Sequence, residues 1–195
     1  MVRPDLRLRL SLAGRDRGAR GAGAPGGHLR HPGLRPPSAA RLQSGADGAA
    51  MGPQALRVSG ELADGVLPFL AGPRALAEHV VPAVTAAATA AGRPAPRIVA
   101  LVPGVVTADA EAVREKAHEA LALYEGIPSY RRAIELSGAS RAAGLAVIGD
   151  EETVAEEVRR YREAGATEVV FTATELNGEE DRRRTWKLLG ELARG

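Results

Sequence analysis

The chain of 195 residues contains no cysteine, and it has no long apolar run. The missing cysteines exclude a disulfide framework and a zinc site built on thiolates. No apolar segment approaches the roughly 18 residues that a membrane span needs. Arg7, Arg9, Arg15 and Arg17 interrupt the amino-terminal apolar stretches, so the apolar region of a signal peptide is also missing. We therefore expect a soluble, cytoplasmic protein.

Residues 1–48 lack Lys and Glu, and they also lack Ile, Phe, Tyr and Trp. They hold nine Arg and three Asp, a net charge of +6, whereas the rest of the chain carries −4. Nine Gly and five Pro complete the bias. A segment with so few large apolar side chains cannot bury enough surface to offset the entropy of ordering it. The composition predicts a disordered Arg/Gly/Pro-rich segment.

Two further hypotheses concern the same segment. Its arginines could neutralise phosphates, so one alternative is a non-catalytic α/β module with a basic tail that binds nucleic acid. Against it, residues 1–48 offer no aromatic side chain for base stacking. The second hypothesis is a frame-shifted or mis-started translation, because Ala, Gly, Arg and Pro are the residues whose codons can consist of G and C alone. On that hypothesis the correct frame begins near Ala49.

From residue 49 onward the pattern becomes regular. Pro53 at a first helical turn predicts a helix over residues 53–63, and the next apolar run predicts a strand over 66–70. An Ala-rich helix is expected over 73–91, with a kink or break at Pro82.

The second part of the chain continues the alternation. RIVALVPGVV at 97–106 is nearly all apolar, which is typical of a strand buried on both faces of a parallel sheet. Helices are expected over 109–125 and 128–136, and Asp150 can cap another. A strand over 167–173 precedes a last helix with Asn177 as its cap. This order predicts a parallel α/β fold, and both a doubly wound sheet and a segment of a (β/α)8 barrel remain open.

The sequence shows no catalytic constellation. His79 and His118 fall on separate predicted helices, and no His, Asp and Glu cluster has metal-ligand spacing. The nucleophile elbow and the P-loop motif are also missing. We therefore assign no catalytic residue and expect no metal site.

A Gly-Pro turn is the strongest candidate for a binding site. Gly52-Pro53 opens a helix, and free backbone amides at a helix start bind anions, phosphate above all. The alternative interpretation is a plain strand-to-helix turn. Gly72-Pro73 has the same form, and the neighbouring Arg74 could pair with an anion there.

Two segments carry a family resemblance. AAMGPQALRVSGELADGVLPFLAGPRALAEHVVPAV resembles the part past the midpoint of luciferase-like monooxygenases, and is most similar to the branch that uses the deazaflavin coenzyme F420. VIGDEETVAEEVRRYREAGATEVVF resembles the last helix–strand unit of that family. The similarity covers residues 49–193.

The resemblance implies a (β/α)8 barrel that transfers hydride between its cofactor and a small organic substrate. It implies that Met51, Gly52, Gln54 and Ala55 hold the phosphate-bearing tail of coenzyme F420, with FMN as the alternative cofactor. A homodimer is compatible with it.

The chain departs from the family in its first half. A complete barrel needs about 250 residues, and nothing before Ala49 resembles the half that would bring the proton-transfer groups. The expectation is therefore the C-terminal portion of a (β/α)8 barrel. We expect it to be a fragment of an oxidoreductase, inactive and marginally stable alone because open strand edges expose unpaired backbone groups.

Overall fold

The computed structural model describes residues 7–10 and 52–194. The strands are β1 (Arg7–Leu10), β2 (Gly65–Val66), β3 (Arg97–Val106), β4 (Val147–Gly149) and β5 (Glu168–Thr172). The helices are α1 (Pro53–Leu62), α2 (Pro73–Ala75), α3 (Val81–Ala90), α4 (Ala110–Glu125), α5 (Pro128–Leu136), α6 (Glu151–Glu163) and α7 (Glu179–Leu192). A π-helical turn, Leu76–Val80, joins α2 to α3, and a 3-10 turn, Ala142–Leu145, precedes β4.

The strands form a parallel sheet in the order β1-β5-β3-β2, with β4 paired to β3. β3 is the centre, since it pairs with β2 at its start, with β5 along its middle and with β4 at its end. Parallel neighbours need helical crossovers, and α2 to α6 provide them from β2 to β5. The predicted parallel α/β fold is confirmed.

The core lies between the sheet and the helices. Ile98, Ala100 and Val102 alternate along β3 and are at most 2% exposed. They share one buried cluster with Val80 and Val84 of the helix that follows β2. These alternating residues form one buried face of β3. The opposite face is covered as well near the end of the strand, where Val105 packs on α4. The strand sequence is therefore apolar throughout.

The helix expected over residues 73–91 is interrupted where Pro82 predicts it. Proline has no amide hydrogen and its ring clashes with the preceding turn. The chain widens into the π-helical turn Leu76–Val80 just before Pro82 and then returns to α-helical bonding. The break is therefore a local π bulge within a helix that runs on to Ala90.

Most predicted elements match, although the strand expected over 66–70 is confined to Gly65–Val66, and three other features differ. Arg7–Leu10 forms a strand parallel to β5, which contradicts the expected disorder for these four residues, and the rest of residues 1–48 lies outside the described residues. The short strand β4 was not predicted. Gly178, and not Asn177, is the N-cap of α7, because Asn177 turns its amide to Asp181. Asp150 does cap α6 by accepting a bond from the Thr153 amide.

A charged pair lies at the amino edge of the sheet. The Arg97 guanidinium at the start of β3 contacts the carboxylate of Glu168 at the start of β5. The Glu168 side chain is only 5% exposed. A carboxylate so buried needs charged or hydrogen-bonding partners, so this pair supports the register of the two strands. None of the helices in the described part of the chain has the length and hydropathy of a membrane-spanning helix.

Candidate cofactor site at the carboxyl edge of the sheet

The connection between α1 and β2 fixes where α1 begins. α1 ends at Leu62, and only Ala63 and Asp64 separate it from β2. The carboxyl end of α1 therefore lies at the amino edge of the sheet. Ten helical residues span about 15 Å, which carries the start of α1 toward the opposite edge, where the parallel strands end. Ligand sites of (β/α)8 barrels lie at that edge.

The start of α1 presents open backbone amides. Gly52 is the N-cap in extended conformation, and no side chain accepts a bond there. The amide of Leu56 donates to the Gly52 carbonyl at 3.0 Å and is the first bond of the helix. The amides of Gly52, Gln54 and Ala55 occupy the positions that have no acceptor within a helix, and Pro53 has none to offer. These three residues are exposed.

Three of the four residues implied by the family resemblance are thus brought together at one helix start. They are Gly52, Gln54 and Ala55, whereas Met51 lies outside the described residues. Among the described residues, and apart from the chain neighbours and backbone of the helix itself, no heavy atom lies within 4 Å of where a Cβ of Gly52 would stand, so a ligand can approach the backbone there. No acidic side chain lies in the first turn of α1 to oppose an anion.

Gly60 holds α1 in this position. A Cβ at Gly60 would stand 2.5 Å from the Val84 carbonyl oxygen and 2.6 Å from the Ala87 Cβ, both in α3. The missing side chain therefore lets the two helices approach at backbone distance. The direction of α1, and with it the position of the three open amides, depends on this contact.

The second Gly-Pro turn is already occupied by protein groups. The Gly72 amide donates to the Ser137 hydroxyl at 2.8 Å, and that hydroxyl donates to the Ala133 carbonyl at 2.7 Å. Arg74 pairs with Glu78 one turn along, at 3.1 Å. The hypothesis of an anion at Gly72 is therefore not supported, because the Gly72 amide serves to fix the end of α5 to the turn and Arg74 is paired with Glu78.

Two residues at the ends of strands have left-handed backbone. Leu70, which follows β2, has φ 54°, and Ala173, directly after β5, has φ 56°. This region is sparsely populated by residues other than Gly, Asn and Asp, and such strain concentrates at functional sites. Both lie at the carboxyl edge of the sheet, the same edge as the start of α1.

An aromatic cluster follows the end of β2. Phe69 lies edge-on to Tyr124 of α4 and Tyr130 of α5, with ring centroids 5.1 and 5.9 Å away, and the tyrosines are 4.9 Å apart. Partial burial, and then the nearby Tyr124, raise the pKa of Tyr130, so its hydroxyl stays protonated and able to donate. The three rings pack on each other and against the buried cluster of Leu70, Leu121, Ile134 and Ala142.

A polar cluster lies beyond β3 and β5 at the same edge. The amide nitrogen of Asn177 donates to Asp181 at 2.7 Å, while its oxygen accepts from Lys116 at 2.6 Å. Burial raises the pKa of Asp181, but hydrogen bonds from Thr107 and Asn177 and the charges of Arg184 and Lys116 outweigh it, and the net pKa lies below the usual value. Asp181 is therefore a fixed negative charge that orients Asn177.

The two histidines of the described residues lie on separate helical segments. The imidazole Nε2 of His118 in α4 meets the Arg141 guanidinium, and its Nδ1 is buried without a partner among the described residues. His79 lies in the π-helical turn beside Glu78, with its Nε2 3.9 Å from the carboxylate. Within the part of the chain that the structure describes, no group of three His, Asp or Glu could hold a metal ion.

Comparison with known proteins decides the family. The luciferase-like monooxygenase family matches residues 46–168. The chain belongs to this family. No curated protein sequence matches the chain. As a luciferase-like chain it falls in an oxidoreductase and monooxygenase family, and the resemblance noted in the sequence is confirmed.

Solved luciferase-like structures share the fold. One is the coenzyme F420 dependent tetrahydromethanopterin reductase from Methanopyrus kandleri, with a TM-score of 0.51, 22% identity, and coverage of 73% of this chain and 48% of the reductase. Another is an F420-dependent secondary alcohol dehydrogenase in complex with an F420-acetone adduct, with a TM-score of 0.57, 20% identity, and coverage of 75% and 48%.

A third solved structure has FMN bound. It is the oxygenating constituent of 3,6-diketocamphane monooxygenase from Pseudomonas putida, with a TM-score of 0.52, 14% identity, and coverage of 69% of this chain and 43% of that one. At such identities the likeness establishes the fold and not a shared reaction. The luciferase-like chain spans about half the length of these relatives.

Several residues of this edge were not predicted from the sequence. Phe69 is far along the chain from Tyr124 and Tyr130, and only the fold brings it to them. Asn177 was interpreted as a cap, and its contact with Lys116 was not foreseen. The signal that could have found them is position, since Phe69 lies near the end of a predicted strand, Asn177 follows the end of another, and both tyrosines lie in the helices after β3.

Proposed function

We propose that this luciferase-like chain carries part of the cofactor site of an oxidoreductase that transfers hydride between coenzyme F420 and a small organic substrate. The observation that carries the proposal is the uncapped start of α1, with the exposed Gly52, Gln54 and Ala55 at the edge where barrel enzymes bind ligands. Family membership supports the reaction class.

The residues present fit a phosphate group. The amides of Gly52, Gln54 and Ala55 would donate to its oxygens, and the positive end of the helix dipole would favour its charge. The space around Gly52 leaves room for the group to reach the backbone. When bound, the reduced deazaflavin supplies the hydride, and this chain contributes binding and orientation of its tail. FMN, which also carries a phosphate, is the alternative.

The aromatic and polar clusters would line the space next to the tail. Phe69, Tyr124 and Tyr130 offer a wall for a planar or apolar group, and Asn177 offers an oriented amide. Neither supplies a group that has been assigned to proton transfer. We therefore propose that this chain is a fragment of the barrel that binds but does not turn over substrate alone.

Binding with and without the phosphate tests this function. The full chain is titrated by calorimetry with coenzyme F420 and its phosphate-free deazaflavin, and with FMN and riboflavin. We expect the phosphate-bearing member of one pair to bind at least tenfold more tightly. Equal affinity within both pairs would contradict the site at α1, and steady reduction of a substrate by the chain alone would contradict the inactivity.

A further inference from the structure

The connection from β5 to α7 lies between two residues with left-handed backbone. Ala173 has φ 56°, and Gly178 has φ 94° with ψ −172°. Alanine is sterically disfavoured at positive φ, and the conformation of Gly178 is essentially restricted to glycine. Such residues cluster at ligand clamps and switch regions, where surrounding contacts hold an unusual conformation in place. Residues 174–177 between them are here called the strap.

The strap covers the carboxyl ends of β3 and β4. The Leu176 side chain packs against a buried cluster that consists of Val105, Val113, Ala117 and Ile148. Val105 and Ile148 are register partners where the two strands end, and they are 0% and 4% exposed. Ligand sites of (β/α)8 barrels lie at this edge of the sheet. The strap therefore lies where a ligand would reach the ends of these strands.

Asn177 fastens the strap through its side chain. Its amide nitrogen donates to Asp181 Oδ2 at 2.7 Å, and its oxygen accepts from Lys116 Nζ at 2.6 Å. The same nitrogen lies 3.4 Å from the Thr107 hydroxyl, which is a weaker contact. Hydrogen bonds to charged groups are stronger than those between neutral groups. One amide group thus joins the strap to α4 on one side and to α7 on the other.

α7 has its own attachment to the sheet. The Thr185 hydroxyl accepts from the Val106 amide at 2.8 Å and donates to the Asp181 carbonyl at 2.7 Å. Leu189, one turn further along α7, is 1% exposed in the main core cluster. These contacts do not involve Asn177, so releasing the strap leaves α7 in its position.

We propose that the strap opens about Ala173 and Gly178 while the strands and α7 stay in place. Opening breaks the bonds of the Asn177 side chain, withdraws Leu176 from its cluster and uncovers the carboxyl ends of β3 and β4. Ala173 leaves its disfavoured conformation, which offsets part of the loss. The inference concerns the strap alone and does not depend on the proposed cofactor site.

Thiol labelling of the full chain tests whether the strap opens by itself. The chain has no cysteine, so Thr174→Cys places a single thiol in the strap, at a side chain that is 7% exposed. The control is Val154→Cys in α6, where the side chain is 0% exposed. Local opening exposes little surface and depends little on urea, whereas global unfolding depends on it strongly. Below the unfolding transition, we expect Thr174→Cys to react at least about tenfold faster than Val154→Cys, at a rate nearly independent of urea. Equal rates with the same urea dependence would overturn the proposal.

The fastening is tested in the same thiol variant. Adding Asn177→Ala removes the bonds to two charged groups and should raise the labelling rate at least about tenfold. Glu175→Ala is the control, because Glu175 is an exposed residue of the same strap. Lys116→Met removes one of the two bonds and should raise the rate less, whereas Lys187→Met, at the other lysine of the chain, should not change it. An unchanged rate with Asn177→Ala, or equal acceleration by a control, would overturn the role of Asn177.

The hinge is tested by adding Gly178→Ala. Among the described residues, and apart from the chain neighbours and backbone of the helix itself, a Cβ there meets no heavy atom within 4 Å, so the positive φ is what opposes it. The variant should raise the labelling rate of Thr174→Cys at least about threefold. The control Gly126→Ala, at φ −79°, should leave the rate unchanged. Equal rates in the two variants, or loss of helix in far-UV circular dichroism with Gly178→Ala alone, would overturn the hinge.

Discussion

Substituting Gly60 with alanine should separate α1 from α3. The added Cβ would stand 2.5 Å from the Val84 carbonyl oxygen, whereas ordinary contacts begin near 3.4 Å. The two helices must therefore move apart by roughly an ångström, and overpacking of this kind costs about 1–3 kcal/mol. Alanine is more stable than glycine within a helix by about 0.5–1 kcal/mol, which offsets part of this cost. We expect Gly60→Ala to lower the free energy of unfolding by about 1–2 kcal/mol.

Thermal and urea unfolding measure this change. For a chain of this size the melting temperature should fall by about 2–8 °C. Gly190→Ala is the matched control, because Gly190 lies inside α7 and its Cβ would meet nothing closer than Arg194 Nη1 at 3.9 Å. The free energy of unfolding of that variant should rise by about 0.5–1 kcal/mol. The reasoning is refuted if Gly60→Ala is as stable as the unmodified chain, or if both variants lose stability equally.

Two further predictions concern charged groups. Arg97→Met removes the guanidinium from the buried Glu168 carboxylate and should lower the free energy of unfolding in urea by about 1–3 kcal/mol. Combining Arg97→Met with Glu168→Leu should restore part of that loss. Unchanged stability of Arg97→Met alone would contradict this prediction. The hydrogen bonds from Thr153, side chain first and then amide, lower the pKa of Asp150 below its ordinary 3.8. Asp150 therefore stabilises the fold above pH 3.8 and loses this effect as pH falls through the lowered pKa. The loss of unfolding free energy caused by Asp150→Ala should accordingly become smaller at acidic pH. The loss of unfolding free energy caused by Asp150→Asn should change less with pH. A loss for Asp150→Ala that stays constant with pH would contradict the stabilising role of the ionised carboxylate.

Local sequence was sufficient to predict most of the regular elements. The apolar run at β3, Pro53 at the start of α1 and Asp150 at the start of α6 each act within a few residues, so their signals are visible in the chain itself. The position of Gly52 toward the carboxyl edge was read from the structure instead, because the short α1–β2 connection gives α1 its direction relative to the sheet.

The clusters at that edge could not be predicted because they depend on sheet order. Phe69 meets Tyr124 only because α4 returns over the end of β2. Asn177 was wrongly predicted as a helix cap because an asparagine that caps a helix cannot be told by sequence from one that bonds to other side chains. Its contacts with Asp181 and Lys116 show that it is the second kind. The β1 strand was missed because composition describes the average of a long segment. It cannot identify four residues within that segment that pair with β5.

A charge placed at the start of α1 tests the central claim most directly. Gly52 has φ −72°, which any residue adopts, and open space around it, so Gly52→Asp and Gly52→Asn should both fold. Both side chains can cap the helix and should preserve or slightly raise its stability, but only aspartate repels a phosphate. Calorimetric titration with coenzyme F420 should show at least tenfold weaker binding for Gly52→Asp than for Gly52→Asn. Equal affinity in the two folded variants would contradict a phosphate site at this helix.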